Sequence, residues 1–148
     1  MIKTIRQLYR TVQRPPIKVV KAIIVNEEGK ILILRRSRII SIRQMSDLPG
    51  GVVDRGENLK VALQREVYEE TALKILKPRK LTSSRSMSII GPIHMHIYTG
   101  EATGTVSLSW EHDRSWWVDP VAALKQKSLP KPYRVVIDRY LQAVSEVF

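Results

Sequence analysis

The sequence predicts an α/β fold in which β-strands pack between helices. Ile17 to Val25 is apolar except for two lysines, and residues 30–36 have the same character after a turn-forming segment at 26–29. Both segments are therefore predicted to be strands joined by a hairpin turn. From Asn58 onwards the apolar residues recur at the helical interval instead. Residues 133–148 place their apolar side chains on one helical stripe, which predicts a second packing helix.

Length and composition limit the classes of protein that the chain can form. Its 148 residues, of which 43% are hydrophobic, predict a single domain over residues 1–148 with a sizeable core. No apolar run reaches about 18 residues, so no transmembrane segment is predicted. The absence of cysteine excludes a disulfide framework and a cysteine-based zinc site, and it fits a cytoplasmic protein. No pattern in the sequence indicates an oligomeric state.

The chain is strongly basic. Lysine and arginine outnumber aspartate and glutamate by 25 to 14, which gives a formal net charge of +11. Such an excess attracts polyanions, including nucleotide phosphates, RNA and anionic membrane surfaces. Binding to nucleic acid is therefore compatible with the composition but not required by it.

Residues 1–16 are predicted to form a basic amphipathic helix. Ile2 and Ile5 share one helical face, Lys3 and Arg6 share the opposite face, and the proline pair at 15–16 ends the helix. Three interpretations remain open for this segment. It is a terminal helix docked by its apolar stripe, an arm that binds phosphate or RNA, or a helix that binds a membrane surface or targets an organelle.

The centre of the chain, from Leu48 to Leu73, combines a glycine turn with the first helix. Residues 49–51 (Pro-Gly-Gly) predict one turn, and residues 54–57 predict a second. A helix of about 14 residues then begins, with Asn58 as its N-cap. On a helical wheel at roughly 100° per residue, the stripe that faces the core consists of Leu59, Leu63 and Val67.

Three carboxylates lie where this helix is expected to be apolar. Glu66 and Glu70 fall on the core-facing side, and Glu69 lies at its edge. Burying a carboxylate is unfavourable, and repulsion among side chains spaced at i, i+3 and i+4 adds to the cost. A hard divalent cation removes both penalties, because Mg²⁺ and Mn²⁺ prefer oxygen ligands. The helix therefore predicts a metal site.

The spacing around these carboxylates closely resembles the signature box of the Nudix hydrolases. Gly51 is followed after five residues by Glu57, and after seven more by residues 65–70 (Arg-Glu-Val-Tyr-Glu-Glu). One departure is Ala72, where the family pattern has glycine. Because glycine suits a left-handed helix C-cap, we expect the helix to end slightly differently at Ala72.

The resemblance implies both a fold and a reaction. Nudix hydrolases use a divalent metal ion to cleave nucleoside diphosphates linked to another moiety, including nucleoside triphosphates. Their fold is an α/β/α sandwich with a mixed sheet between helices. The resemblance thus implies a pyrophosphohydrolase that takes a nucleotide-type diphosphate substrate. It also implies binding of Mg²⁺ or Mn²⁺ by Glu66, Glu69, Glu70 and the Gly51 carbonyl.

Further roles follow from the same resemblance. Glu57 and Arg65 are expected to form a structural pair that ties the loop to the helix. The segment 110–118 resembles the acid-then-tryptophan region that follows the box in many Nudix proteins, where an extra carboxylate often reaches the metal or activates water. Arg114 occupies the position that frequently holds glutamate in that pattern. The candidate proton acceptor is therefore Glu111 or one of the glutamates of the box.

Two tryptophans and three arginines carry open alternatives. Trp116 and Trp117 would point to opposite sides of a strand, so one is expected in the core, and stacking on a base is the alternative role.

The three arginines at positions 35, 36 and 38 fit an exposed basic loop after the second strand. They also fit a phosphate clamp, because arginine forks suit phosphate oxygens and the resemblance places this strand end near the substrate. The candidate substrate-binding residues are Arg35, Arg36 and Arg38.

The remaining strands are predicted from residues 74–101. Segments 74–78 and 81–90 are strand-like and interrupted by Pro78. From residue 93 the chain alternates, so His94 and His96 share one face. A ligand-facing or hydrogen-bonded histidine pair and a zinc site are the alternatives.

Two rival functions use related folds. A non-hydrolytic Nudix-fold module that binds a nucleotide or RNA would be expected to lose carboxylates of the box, and none of them is missing here. A related fold isomerises isoprenyl diphosphates, usually with a reactive cysteine, and this chain has no cysteine.

Overall fold

The computed structural model describes residues 15–147, so the helix predicted at residues 1–16 lies almost entirely outside the described residues. The strands in chain order are β1 Ile17–Ile24, β2 Ile31–Arg36, β3 Ser46–Asp47, β4 Gly50–Val52, β5 Lys74–Ser88, β6 Gly91–Thr103 and β7 His112–Val118. The helices are α1 Leu59–Thr71, α2 Pro120–Ala123 and α3 Lys131–Val147. None of the described helices is long and apolar enough to cross a membrane.

The strands form two sheets. A four-stranded sheet has the order β4-β1-β6-β5, in which β1 and β6 are parallel and the other pairs are antiparallel. A three-stranded antiparallel sheet has the order β3-β2-β7. The predicted α/β fold class is confirmed, although the strands divide into a mixed sheet and a smaller antiparallel sheet.

The turn predicted between β1 and β2 is present, but it joins strands of different sheets. The Asn26 side chain accepts hydrogen bonds from the backbone amides of Glu28 and Lys30, at 3.0 and 2.9 Å. Val25 and Ile31 then form an isolated bridge. Beyond it β1 pairs with β4 and β6, whereas β2 pairs with β3 and β7. A local turn signal does not determine which partners the two strands find later along the chain.

Two apolar clusters hold the layers together. The first packs α1 against β1 and β2, and it includes Val20, Ala22, Leu34, Leu63 and Val67. The second packs α3 against the opposite side, and it includes Ile23, Ile33, Ile97, Val136 and Ile137. Trp116 packs against this second cluster, whereas Trp117 is exposed. The alternation of a strand thus turns one of the two tryptophans towards the core, against which it packs while partly buried.

The long β5–β6 hairpin differs from the prediction at Pro78. The register shifts between Leu76 and Arg79, and β5 continues as one strand instead of ending. A proline in an edge strand can be accommodated by such a bulge, because the missing N–H then faces no partner.

The two histidines of β6 form a contact pair. The ring centroids of His94 and His96 lie 4.1 Å apart, and the Lys80 ammonium lies 3.0 Å from His96 Nδ1. Among residues 15–147, no further histidine or carboxylate lies close enough to this pair to complete a metal-binding cluster. Of the alternatives considered for this strand, the contact with Lys80 matches a hydrogen-bonded role for His96.

Helix α1 begins at the predicted N-cap, but the backbone conformation at its C-terminal end differs from the prediction. The Asn58 side chain accepts a hydrogen bond from the Lys60 amide at 2.9 Å, so Asn58 is the N-cap. At the other end Ala72 has φ 61° and ψ 10°, and its amide donates to the Tyr68 carbonyl at 2.8 Å. This is the left-handed termination that glycine would give, so the expected difference at Ala72 is wrong. The capping hydrogen bond holds alanine in a conformation that is unfavourable by about 1–2 kcal/mol.

Replacing Ala72 by glycine should therefore stabilise the protein. Ala72→Gly removes the Cβ strain, and glycine's greater freedom in the unfolded chain offsets part of the gain. We expect the free energy of unfolding to rise by about 0.5–1 kcal/mol, as measured by urea denaturation. Gln64→Gly, at an exposed position inside α1, should instead cost about 1 kcal/mol. Equal losses for the two variants would show that Ala72 carries no strain.

Candidate active site

The glycine pair at the start of β4 allows three elements to meet. Gly50 has φ 138°, and a Cβ there would collide with the Val20 carbonyl of β1. A Cβ on Gly51 would overlap the Glu66 carboxylate of α1. The absence of both side chains thus lets β4 lie against β1 while α1 presents its carboxylates to the turn.

A cleft of about 400 Å³ opens beside this turn. Glu66 and Glu70 reach it from α1, and Glu111 reaches it from the segment before β7. Gly51 lies at the same wall, so four of the five predicted metal-binding or catalytic groups share one cavity. The remaining polar lining is Lys21, Arg36, Asp47, His112 and Tyr133, and the apolar lining is Val19, Ile40, Val52 and Met95.

The two helix carboxylates of the cleft are held away from water. Glu70 is only 4% exposed, and its Oε2 accepts a hydrogen bond from the Gly50 amide at 3.0 Å. Burial raises the pKa of Glu70 to about 7, although Lys21 and the Gly50 amide oppose the shift. Burial also raises the pKa of Glu66; Arg65 opposes this shift, and the charges of Glu69 and Glu111 add to it. Both carboxylates would therefore be stabilised in their ionised form by an added cation.

Arg65 connects the second turn to the helix. Its Nε and Nη2 donate to the two oxygens of Glu57 at 2.8 and 2.9 Å, which is the predicted structural pair. Nη2 also donates to the Val52 carbonyl at 3.1 Å, and Nη1 donates to Glu66 at 2.9 Å. The hydrogen bonds from Arg65, reinforced by the Asp54 amide, lower the pKa of Glu57 to about 2.

Glu69 lies outside the cleft. Its side chain is 56% exposed and accepts a hydrogen bond from Arg65 Nη1 at 3.2 Å. In the described part of the chain, no three Asp, Glu or His side chains converge at metal-binding distance. The structure thus places Glu66, Glu70 and Glu111 around one cavity, the first two on α1 and the third before β7. Glu69 points instead towards Arg65.

The three candidate arginines have different surroundings. Arg36 lines the cleft, and its Nε lies 4.0 Å from Asp47 Oδ2. Arg35, its neighbour in β2, points to the other side of the strand and forms an ion pair of 2.8 Å with Asp113. Arg38 lies in the following loop and donates to the Gln44 side chain at 3.3 Å. Only Arg36 of the predicted clamp therefore reaches the cleft.

A buried polar network that lines the cleft was missed by the sequence analysis. Asp47 Oδ1 accepts from Lys21 Nζ at 2.9 Å and from the Tyr133 hydroxyl at 3.0 Å, and Oδ2 contacts His112 Nε2 at 2.9 Å. Although burial opposes it, Lys21 and His112 hold the pKa of Asp47 well below its usual range. The one signal in the sequence was Lys21, one of two lysines in a strand that is apolar elsewhere.

Comparison with known proteins agrees with the fold. Residues 15–140 match the family model for the NUDIX domain, and the chain therefore belongs to the Nudix family. A solved structure of the MutT protein from Methanosarcina mazei Go1 is 31% identical with a TM-score of 0.78, covering 89% of this chain and 97% of that one. The solution structure of the E. coli ORF135 protein is 27% identical with a TM-score of 0.76, covering 85% and 89%.

A curated relative is more distant. An ADP-ribose pyrophosphatase of Bacillus subtilis (strain 168) is 24% identical over 110 residues, which cover 74% of this chain. The match spans 60% of that relative's length.

The buried state of Glu70 predicts a pH-dependent gain in stability. In the metal-free protein Glu70→Gln should raise the free energy of unfolding more at pH 8 than at pH 5. The folded pKa of Glu70, about 7, exceeds the unfolded value of about 4.3, so its ionisation destabilises the fold as the pH rises between these values. Glutamine stays neutral, and the gain should differ by about 1–3 kcal/mol between the two pH values in urea denaturation.

Glu69→Gln is the matched control for this measurement. It removes the same charge from the same helix, but from an exposed side chain. We expect its effect on stability to differ little between pH 5 and pH 8. Equal pH dependence in the two variants would contradict an unfavourable ionised Glu70.

Proposed function

We propose that this protein is a metal-dependent pyrophosphohydrolase that cleaves the pyrophosphate bond of a nucleoside triphosphate or of another nucleoside diphosphate derivative. The observation that carries the proposal is the cleft in which Glu66, Glu70 and Glu111 face one cavity with Arg36. Membership of the Nudix family supports the same reaction class. The ADP-ribose pyrophosphatase relative supports a nucleotide-type substrate.

The donor set fits Mg²⁺ or Mn²⁺. Glu66, Glu70 and the Gly51 carbonyl would hold the ion, and all of these groups offer oxygen. When bound, the ion supplies charge that neutralises a diphosphate and activates water for attack on phosphorus. Glu69 would join the set only by leaving Arg65, which its exposed position at the edge of α1 permits.

The other groups of the cleft fit the remaining tasks. Glu111 borders the cavity from a segment outside α1, whose carboxylates would hold the ion. Its own carboxylate is therefore suited to accept the proton from the attacking water. Arg36 offers a planar fork for phosphate oxygens. Val19 and Met95 provide apolar surface for the nucleoside part of a substrate. Ile40, in the loop after β2, lines the same cleft.

The first test is the dependence on metal and on the two carboxylates of α1. Chelation should abolish turnover across a panel that contains nucleoside triphosphates, oxidised nucleotides, ADP-ribose, dinucleoside polyphosphates and capped RNA. Glu66→Gln and Glu70→Gln should each lower kcat on the order of 10²-fold or more. Glu146→Gln, on the exposed end of α3, should leave kcat unchanged. Binding of a nucleotide without turnover, in the presence of Mg²⁺ or Mn²⁺, would favour a silent binding module instead.

The second test concerns Arg36. Arg36→Ala should raise KM roughly tenfold, the scale of a lost charge-assisted hydrogen bond, and should lower kcat less. Arg38→Ala is the matched control, because it removes the same group two residues further along the chain, from a loop position outside the cleft. If both variants keep the KM of the wild type for every substrate in the panel, the arginines belong to the solvated surface.

A further inference from the structure

Lys21 lies under the glycine turn and uses all of its hydrogen-bonding capacity there. The residue is 7% exposed. Its ammonium donates to Asp47 Oδ1 at 2.9 Å, to the Leu48 carbonyl at 3.0 Å and to the Gly50 carbonyl at 3.1 Å. Three donors meet three acceptors, so the chain from Asp47 to Gly50 is wrapped around one buried cation.

The wrapped segment carries two contacts of the candidate site. The Gly50 amide donates to Glu70 at 3.0 Å, and Gly51 lies against the carboxylate of Glu66. A displacement of this turn would therefore move the surface that orients both carboxylates of α1. Lys21 acts on the site through the backbone, because its own donors are already occupied.

Asp47 connects the same turn to the opposite wall of the cleft. Its Oδ2 contacts His112 Nε2 at 2.9 Å, and His112 directly follows Glu111 in the chain. Its Oδ1 also accepts from the Tyr133 hydroxyl of α3 at 3.0 Å. One buried carboxylate thus links β1, the glycine turn, α3 and the segment that carries Glu111.

Stability alone does not account for a buried ion pair at this place. Replacing such a pair with neutral side chains of similar volume is often neutral or stabilising, whereas removal of one partner leaves an uncompensated charge and is strongly destabilising. The hydrogen-bonded pair does specify one arrangement of the turn relative to α1 and Glu111. Groups that orient metal ligands in this way commonly change metal affinity 10- to 100-fold when they are removed, as an order of magnitude.

We propose that Lys21 and Asp47 are positioning residues, which fix the glycine turn and the Glu111 segment against α1 and thereby set the metal affinity of the site. The inference rests on the proposed function for the identity of the ligand. It assigns no contact with substrate to either residue.

The experiment compares Lys21→Met, Asp47→Asn and the double variant Lys21→Met/Asp47→Asn. Mn²⁺ affinity is measured by electron paramagnetic resonance, stability by urea denaturation, and hydrogen exchange of the Gly50 amide by NMR. Each single variant should lose stability, weaken Mn²⁺ binding about tenfold or more and accelerate Gly50 exchange. The double variant removes both charges of the Lys21–Asp47 pair, so it should regain part of the lost stability while its Mn²⁺ affinity stays low and Gly50 exchange stays fast.

Ile137→Val provides the control for a general loss of stability. Ile137 is a buried residue of α3, so its truncation should lower stability without changing Mn²⁺ affinity or the exchange of Gly50 relative to other amides. A folded double variant with the Mn²⁺ affinity and Gly50 protection of the wild type would overturn the inference. If the wild type itself bound no Mn²⁺, the proposed function would fail, and Gly50 exchange alone would decide whether the pair positions the turn.

Discussion

The candidate site depends on the close approach of β4 to both β1 and α1. This approach requires a chain without side chains at Gly50 and Gly51, because any Cβ would meet the Val20 carbonyl or the Glu66 carboxylate. It also requires a hydrogen-bond donor for the buried carboxylate of Glu70, and the Gly50 amide is that donor. Backbone and carboxylates are therefore held in one arrangement, and a change at the turn is transmitted directly to α1.

Two cations of the protein partly offset the negative charge of the carboxylates in this arrangement. Lys21 offsets part of the charge of Asp47 and Glu70 from inside the sheet, while Arg65 offsets that of Glu66 from the surface. These cations are engaged by protein groups, and the raised pKa of Glu70 indicates that they do not fully compensate its burial. Added positive charge would therefore stabilise the carboxylates of the site, and the open cleft gives an ion access to them.

Features that depend on neighbours in the sequence could be predicted, because spacing alone determines which side chains meet. The Asn58 cap follows from the residues of a single turn. The Glu57–Arg65 pair, whose members are eight residues apart, was expected from the family resemblance of the segment that contains both. The fold class also followed from local patterns, since strands and helices differ in apolar period. The division into two sheets did not, because it depends on pairings between segments far apart in the chain.

The Lys21–Asp47 network shows the same limit within the site itself. Its members come from β1, β3, β7 and α3, and the hydrogen bonds of Asp47 join residues 26, 65 and 86 positions apart. In the sequence each member has an ordinary local explanation, so no pattern indicates that they meet. Glu69 differs from these residues, because the helical period places it at the edge of the buried face and it pairs outside the cleft with Arg65, four residues earlier in the same helix. A spacing pattern can therefore identify the carboxylates of a site, whereas their final orientation also depends on the cations beside them, whether from the same helix, as Arg65 is, or from a distant strand, as Lys21 is.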